Sequence, residues 1–254
     1  TWPLTISNGS VLMIHKFYES IVDRIPDRPT ISSAYLYKIF HAPDFSLVKY
    51  STGHAFDFLK GMQKILDNFL NTGAPHNLKI VLEKIKLRMD KVQLNQILSK
   101  KKYSDLSMAE MLGFANFIRY HYKQNFLEII ELYFQLDAWY GMAMAVKEYN
   151  LVFPEFFDSE EPQLKAGGLY HLLLPSPVAY NVELNQKNNF IFLTGANMAG
   201  KSTFIKAVGA AVFLAHTGMG VPVKSMHLSL FDGLLSNINV VDNISKGESY
   251  FYNE

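Results

Sequence analysis

Gly195-Ala196-Asn197-Met198-Ala199-Gly200-Lys201-Ser202 is the stretch on which the fold of this 254-residue chain turns. It matches G-x-x-x-x-G-K-[ST], in which the glycines let the backbone bring successive amides round one anion. The apolar run 190–194 reads as a buried strand leading in, and 201–216 as a helix leading out. A helix that opens at the lysine adds the positive end of its dipole to the same anion. In such a loop Lys201 reaches the β- and γ-phosphates of a nucleotide, and the Ser202 hydroxyl ligates magnesium. At average residue usage the four fixed positions recur by chance in roughly 1% of chains this long, and the flanking strand and helix lower that further.

Upstream of the loop, Val178, Tyr180, Val182 and Leu184 alternate as a strand does, and 185–189 reads as a turn. Downstream, 228–235 is strand-like, so the C-terminal part reads as α/β. Pro154, Asp158, Glu160, Glu161 and Pro162 make 153–163 an acidic, turn-rich linker, with one domain expected at 1–152 and another at 164–254. The first of these is expected to be all-α. Residues 10–25 carry Val11, Ile14, Phe17, Tyr18, Ile21, Val22 and Ile25 at helical spacing, ended by Pro26 and Pro29. Further helices are expected at 53–70 and 77–99. Ser107-Met108-Ala109-Glu110 has the form of a capping box, opening a helix that continues, with one break, to Tyr149.

Composition narrows the function classes. The chain is 49% apolar, 19% charged and 14% aromatic, which argues against disorder. A net charge of +1 excludes holding nucleic acid through a large basic excess, though not through a local groove. The absence of cysteine excludes disulfides, thiolate zinc sites and cysteine catalysis. The longest apolar stretch, 207–215, is too short to span a bilayer, so no membrane association is expected. No basic-then-apolar leader opens the chain, which points to a cytoplasmic protein, and the opening Thr1 points to a fragment. The eight histidines show neither H-x-x-x-H nor H-E-x-x-H, so the only metal expected is nucleotide-bound magnesium. Lys84, Lys86, Arg88, Lys91 and Lys100-Lys101-Lys102 read as solvated helix faces in preference to a phosphate-backbone contact.

The variable positions of the loop carry a resemblance. Thr194-Gly-Ala-Asn-Met-Ala-Gly-Lys-Ser-Thr203 resembles the phosphate loop of the MutS family, T-G-P-N-M-[GA]-G-K-S-T, with Asn197-Met198 as the distinguishing pair and Ala196 in place of proline. Residues 245–254, Ser-Lys-Gly-Glu-Ser-Tyr-Phe-Tyr-Asn-Glu, resemble the family's S-G-x-S-T-F-x-x-E segment, with one extra residue and Tyr250 in place of threonine. Asp242 stands where the family has aspartate, Leu136-Asp137 resembles the pair near the end of its last lever helix, and 167–171 loosely matches its G-R-H-P turn. The resemblance is specific over about 130–254; before that, only the helicity agrees.

The resemblance implies an α/β P-loop NTPase, the front part of an ATP-binding-cassette-type ATPase domain, preceded by a mostly α-helical lever or core domain. It implies ATP and Mg2+ as ligands, held in cis by Gly195, Ala196, Asn197, Met198, Ala199, Gly200, Lys201, Ser202 and Thr203. Ser249 would be presented to the γ-phosphate of a partner subunit, in a homodimer formed through the ATPase domain; its other reading is a loop hydroxyl capping a helix. Pro177 and Val178 stand where the family contacts the adenine, although Val178 also fits a core-facing strand residue. Double-stranded DNA is the implied macromolecular partner, in repair or recombination. The family's Asp-Glu magnesium segment is not met before Glu254, so hydrolysis is expected to be impaired. The alternative is an ATP-gated structural module that neither hydrolyses ATP efficiently nor reads mismatches. Phe17-Tyr18-Glu19 matches the family's F-x-E mismatch wedge, but its helical periodicity favours ordinary packing.

Overall fold

In the computed structural model, which describes residues 6–196 and 199–237, Ser7 opens the first helix by accepting the amide of Ser10 on its hydroxyl at 3.1 Å. That helix, α1 (Asn8–Glu19), buries Val11, Ile14 and Phe17 on one face. It stops at Glu19, six residues short of the expected end. Ser20 is already extended, and the Arg119 guanidinium, about 100 residues away in sequence, donates to the carbonyls of Phe17 and Ser20 at the helix end. The prolines are therefore not the terminator. Ile21 is left fully exposed, while Ile25 is buried separately and its carbonyl accepts from the buried Asn116 amide.

The chain divides into two compact units, 1–138 and 139–254. In the first, α2 (Ile31–Phe40) is followed by α3 (Ala42–Phe69), longer at its N-terminal side than the expected 53–70. Pro43 suits a first helical turn, where its missing N–H costs nothing. α3 is the hub. Its buried Val48, Ala55, Phe58, Leu59, Met62 and Ile65 meet α1, α2 and the later helices. The predicted helix at 77–99 is two helices, α4 (His76–Met89) and α5 (Val92–Leu98). Asp90 accepts from the Asn95 side chain across the break, a local bond that competes with helix continuation.

The capping box forms as expected: the Glu110 amide donates to Ser107 Oγ at 3.2 Å and the Ser107 amide to Glu110 Oε2 at 2.7 Å. It opens α6 (Met108–Asn116), which runs through a π-helical turn (Phe117–His121) to the break at Tyr122. Then α7 (Lys123–Tyr149) continues, burying Phe126, Ile129, Ile130, Tyr133 and Leu136.

The second unit holds β1 (Glu155–Phe156), β2 (Leu164–Leu169), β3 (Tyr180–Leu184), α8 (Lys201–His216) and β4 (Ser225–Leu228). The strand order is β1-β4-β2-β3, with β1 parallel to β4 and the other pairs antiparallel. α8 lays Ala207, Ala211 and Ala215 against Leu164, Ala166, Val182, Met226 and Leu228. The small side chains let helix and sheet approach closely.

Two strand expectations are corrected. Residues 190–194 form no strand with the described sheet, and Phe190 and Phe192 are nearly 80% exposed. A continuous apolar run becomes a buried strand only where neighbours pair its backbone and cover both faces, and β3 pairs with β2 alone. The strand near 228–235 lies earlier, at Ser225–Leu228, where it pairs with β2 in register Leu164↔Leu228 to Gly167↔Ser225. The described residues thus make a helical unit and a small mixed sheet, without the strand expected to feed the loop.

Candidate functional site

α8 begins where the motif places it, at Lys201, on a glycine in the left-handed region. Gly200 has φ 88° and ψ 12°, and its carbonyl accepts the Phe204 amide at 2.9 Å. Among the described residues no side chain caps this helix start, so the first-turn amides have no described side-chain acceptor. Gly195, at φ 151°, is the second position whose backbone favours glycine. Between them the Ala199 amide donates to the Ala196 carbonyl at 3.2 Å, tightening the turn.

The Lys201 ammonium closes this ring. It donates to the carbonyls of Gly195 at 2.7 Å and Ala196 at 2.8 Å, so a mobile cation is held at the loop without a carboxylate partner among the described residues. The Ser202 hydroxyl is exposed and bonds no described residue. A helix start with no described cap, two positive-φ glycines, one ammonium and one exposed hydroxyl can together take up a polyanion and its divalent counterion.

The structure brings Gly195, Ala196, Ala199, Gly200, Lys201, Ser202 and Thr203 into one loop and helix start. Val178 lies outside β3 and is 67% exposed, so it is not a core-facing strand residue. Asn197, Met198, Asp242 and Ser249 lie outside the described residues. Tyr180 was expected only as a strand residue, yet its ring meets Phe204, in the first turn of α8, edge-on at 5.4 Å. The signal was in the sequence: alternation with the buried Val182 puts Tyr180 on the α8 side of β3.

A cluster that motif spacing did not reveal is Asp23, His41 and Asp44, whose potential ligand atoms lie within 4.8 Å of one another. The fold accounts for it without a cation. His41 Nδ1 pairs with Asp23 Oδ2 at 2.6 Å, and the Asp23 amide donates to Asp44 Oδ2 at 2.9 Å. Asp44 also sits in the first turn of α3, where the helix dipole favours an anion and opposes a metal ion. Of the basic stretch, Arg88 is engaged by Glu128, and burial of Phe17 in α1 leaves its ring no free face for a base. Among the described residues no helix is long and apolar enough to cross a membrane.

A family model described as MutS domain V matches residues 191–254. The DNA mismatch repair protein MutS of Persephonella marina is 33% identical over 120 residues, 46% of this chain and 14% of that protein. The corresponding protein of Thermus aquaticus is 33% identical over 117 residues, again 46% and 14%. That of Protochlamydia amoebophila is 28% identical over 138 residues, 51% and 16%. The matched region is thus about half of this chain and a small part of each relative.

Proposed function

The chain carries a segment of the MutS family, and on that premise we propose that it is an ATP-binding module of DNA mismatch repair whose loop at 195–202 holds the nucleotide phosphates. The observation that carries this reading is the start of α8 at Lys201, framed by Gly195 and Gly200 at positive φ. The residues present fit the ligand. The amides at the start of α8 and the ammonium of Lys201 supply positive charge for the phosphates, and the Ser202 hydroxyl supplies an oxygen for magnesium.

Bound ATP supplies a γ-phosphate whose presence or absence two states of the protein can read. The protein's own part is to position it. Lys201 exchanges two neutral carbonyl acceptors for anionic phosphate oxygens, which turns each hydrogen bond into an ion pair.

The same reading makes 164–254 the front of a P-loop NTPase, joined through 153–163 to the helical 1–152. It pairs two chains through the ATPase domain, with Ser249 facing the partner's γ-phosphate, and gives the helical part double-stranded DNA to act on. The relatives' description as mismatch repair proteins supports the DNA role. Calorimetric titration with ATP and magnesium tests the loop: the wild-type chain binds and Lys201→Ala does not. Equal heats from both would refute it. Heteroduplex binding with and without a mispair, at fixed salt, tests the DNA role, because phosphate contacts alone give salt-dependent binding that ignores the mispair.

A further inference from the structure

We propose that Tyr180 is an additional nucleotide-contacting residue, its hydroxyl donating to the phosphate chain of a nucleoside di- or triphosphate held at the start of α8. The inference rests on the loop reading above and adds to it a residue from another strand.

Strand geometry aims the side chain. Val182 is buried toward α8, so Tyr180, two residues earlier, lies on the same face at the end of β3 nearest the loop. Opposite it, the β2–β3 register shifts between Ala166 and Leu169, where Gly168 takes φ 64° and its amide donates to Asn181 Oδ1 at 2.9 Å. Such a bulge bends the strand and re-aims the side chains beside it. The Tyr180 ring is then fixed edge-on against Phe204, at 87° between planes.

The hydroxyl ends at the loop. A carbon placed on Gly200 would lie 3.6 Å from Tyr180 Oη, so the oxygen faces the backbone at which α8 starts. It bonds no described residue. The contrast with other buried or half-buried tyrosines is informative: those of Tyr18, Tyr37, Tyr122 and Tyr170 donate to backbone carbonyls, and that of Tyr103 pairs with Thr52, whereas Tyr35, Tyr50, Tyr120 and Tyr149 are exposed to solvent. A half-buried donor with no partner among the described residues, beside the start of α8, is placed to complete the shell of an anion there, through a charge-assisted bond.

Calorimetry on the 254-residue chain, with ATP–magnesium and with inorganic tripolyphosphate, tests this against Tyr180→Phe and Lys201→Ala. Phenylalanine keeps the ring on Phe204 and removes only the hydroxyl. The expected result is about tenfold weaker binding of both probes to Tyr180→Phe, with an unchanged melting temperature. If Tyr180→Phe binds both probes as the wild type does while Lys201→Ala binds neither, the inference is wrong and the loop reading stands. A loss with ATP alone moves the contact to the nucleoside and overturns the phosphate assignment. If the wild-type chain binds neither probe, the loop reading itself fails and takes Tyr180 with it.

Discussion

Glu110 shows how one side chain can serve two structural purposes. Its carboxylate accepts the Ser107 amide and lies 3.2 Å from the Lys100 ammonium, and the backbone bond above all holds its pKa below the ordinary value of 4.5. A depressed carboxylate stabilises the fold above its unfolded pKa, and that stability is lost as pH falls through the folded value. Glu110→Gln should therefore lower stability near neutrality and flatten its decline below about pH 4.5, measured by denaturant titration across pH. An acid limb as steep as the wild type's would show that the box contributes nothing to it. Asn116 is a second residue-scale case. It is buried and donates to the Ile25 carbonyl at 2.9 Å, tying down the chain between α1 and α2. Asn116→Ala leaves that carbonyl unsatisfied and should cost about 1–3 kcal/mol.

At the scale of elements, α3 organises the helical unit through aromatic contacts as well as aliphatic burial. Phe58, fully buried, meets Phe126 at 5.7 Å and Tyr133 edge-on at 5.5 Å, joining α3 to two turns of α7. Phe58→Ala should destabilise the unit by about 3–5 kcal/mol in urea unfolding. α8 obeys the opposite constraint. Ala211 is fully buried at the sheet, where extra volume has nowhere to go. Ala211→Leu should cost about 1–3 kcal/mol through overpacking. A neutral result would mean that helix and sheet separate more easily than their small-residue contact implies.

At the scale of the molecule, the second unit combines a small core with considerable apolar surface. Phe190, Phe192, Leu230 and Leu235 are each more than 70% exposed. Exposed apolar groups of this size favour association. The chain should associate with rising concentration in sedimentation without nucleotide, and Phe190→Ser with Phe192→Ser should weaken that association. The proposed trans contact predicts something separate: Ser249→Ala leaves nucleotide binding to the single chain intact and weakens only ATP-dependent pairing. The two kinds of association are told apart by adding ATP.

Local chemistry made part of this protein legible from its sequence. Gly195, Gly200, Lys201 and Ser202 fix a loop by their spacing, α8 spans the expected 201–216, and Ser107 with Glu110 announces a helix start. Each depends on residues within a few positions of one another. Contacts made across the chain decided the rest. Arg119 ends α1 from about 100 residues away, which no reading of Pro26 and Pro29 reveals. Residues 190–194 have a strand's composition, but strand formation needs a partner, and partners are chosen by topology. Alternation puts Tyr180 on the same face of β3 as Val182, but only the β2 bulge and Phe204 set its ring beside Gly200. Backbone conformation follows from neighbours in sequence, whereas pairing, termination and the direction of a side chain follow from neighbours in space.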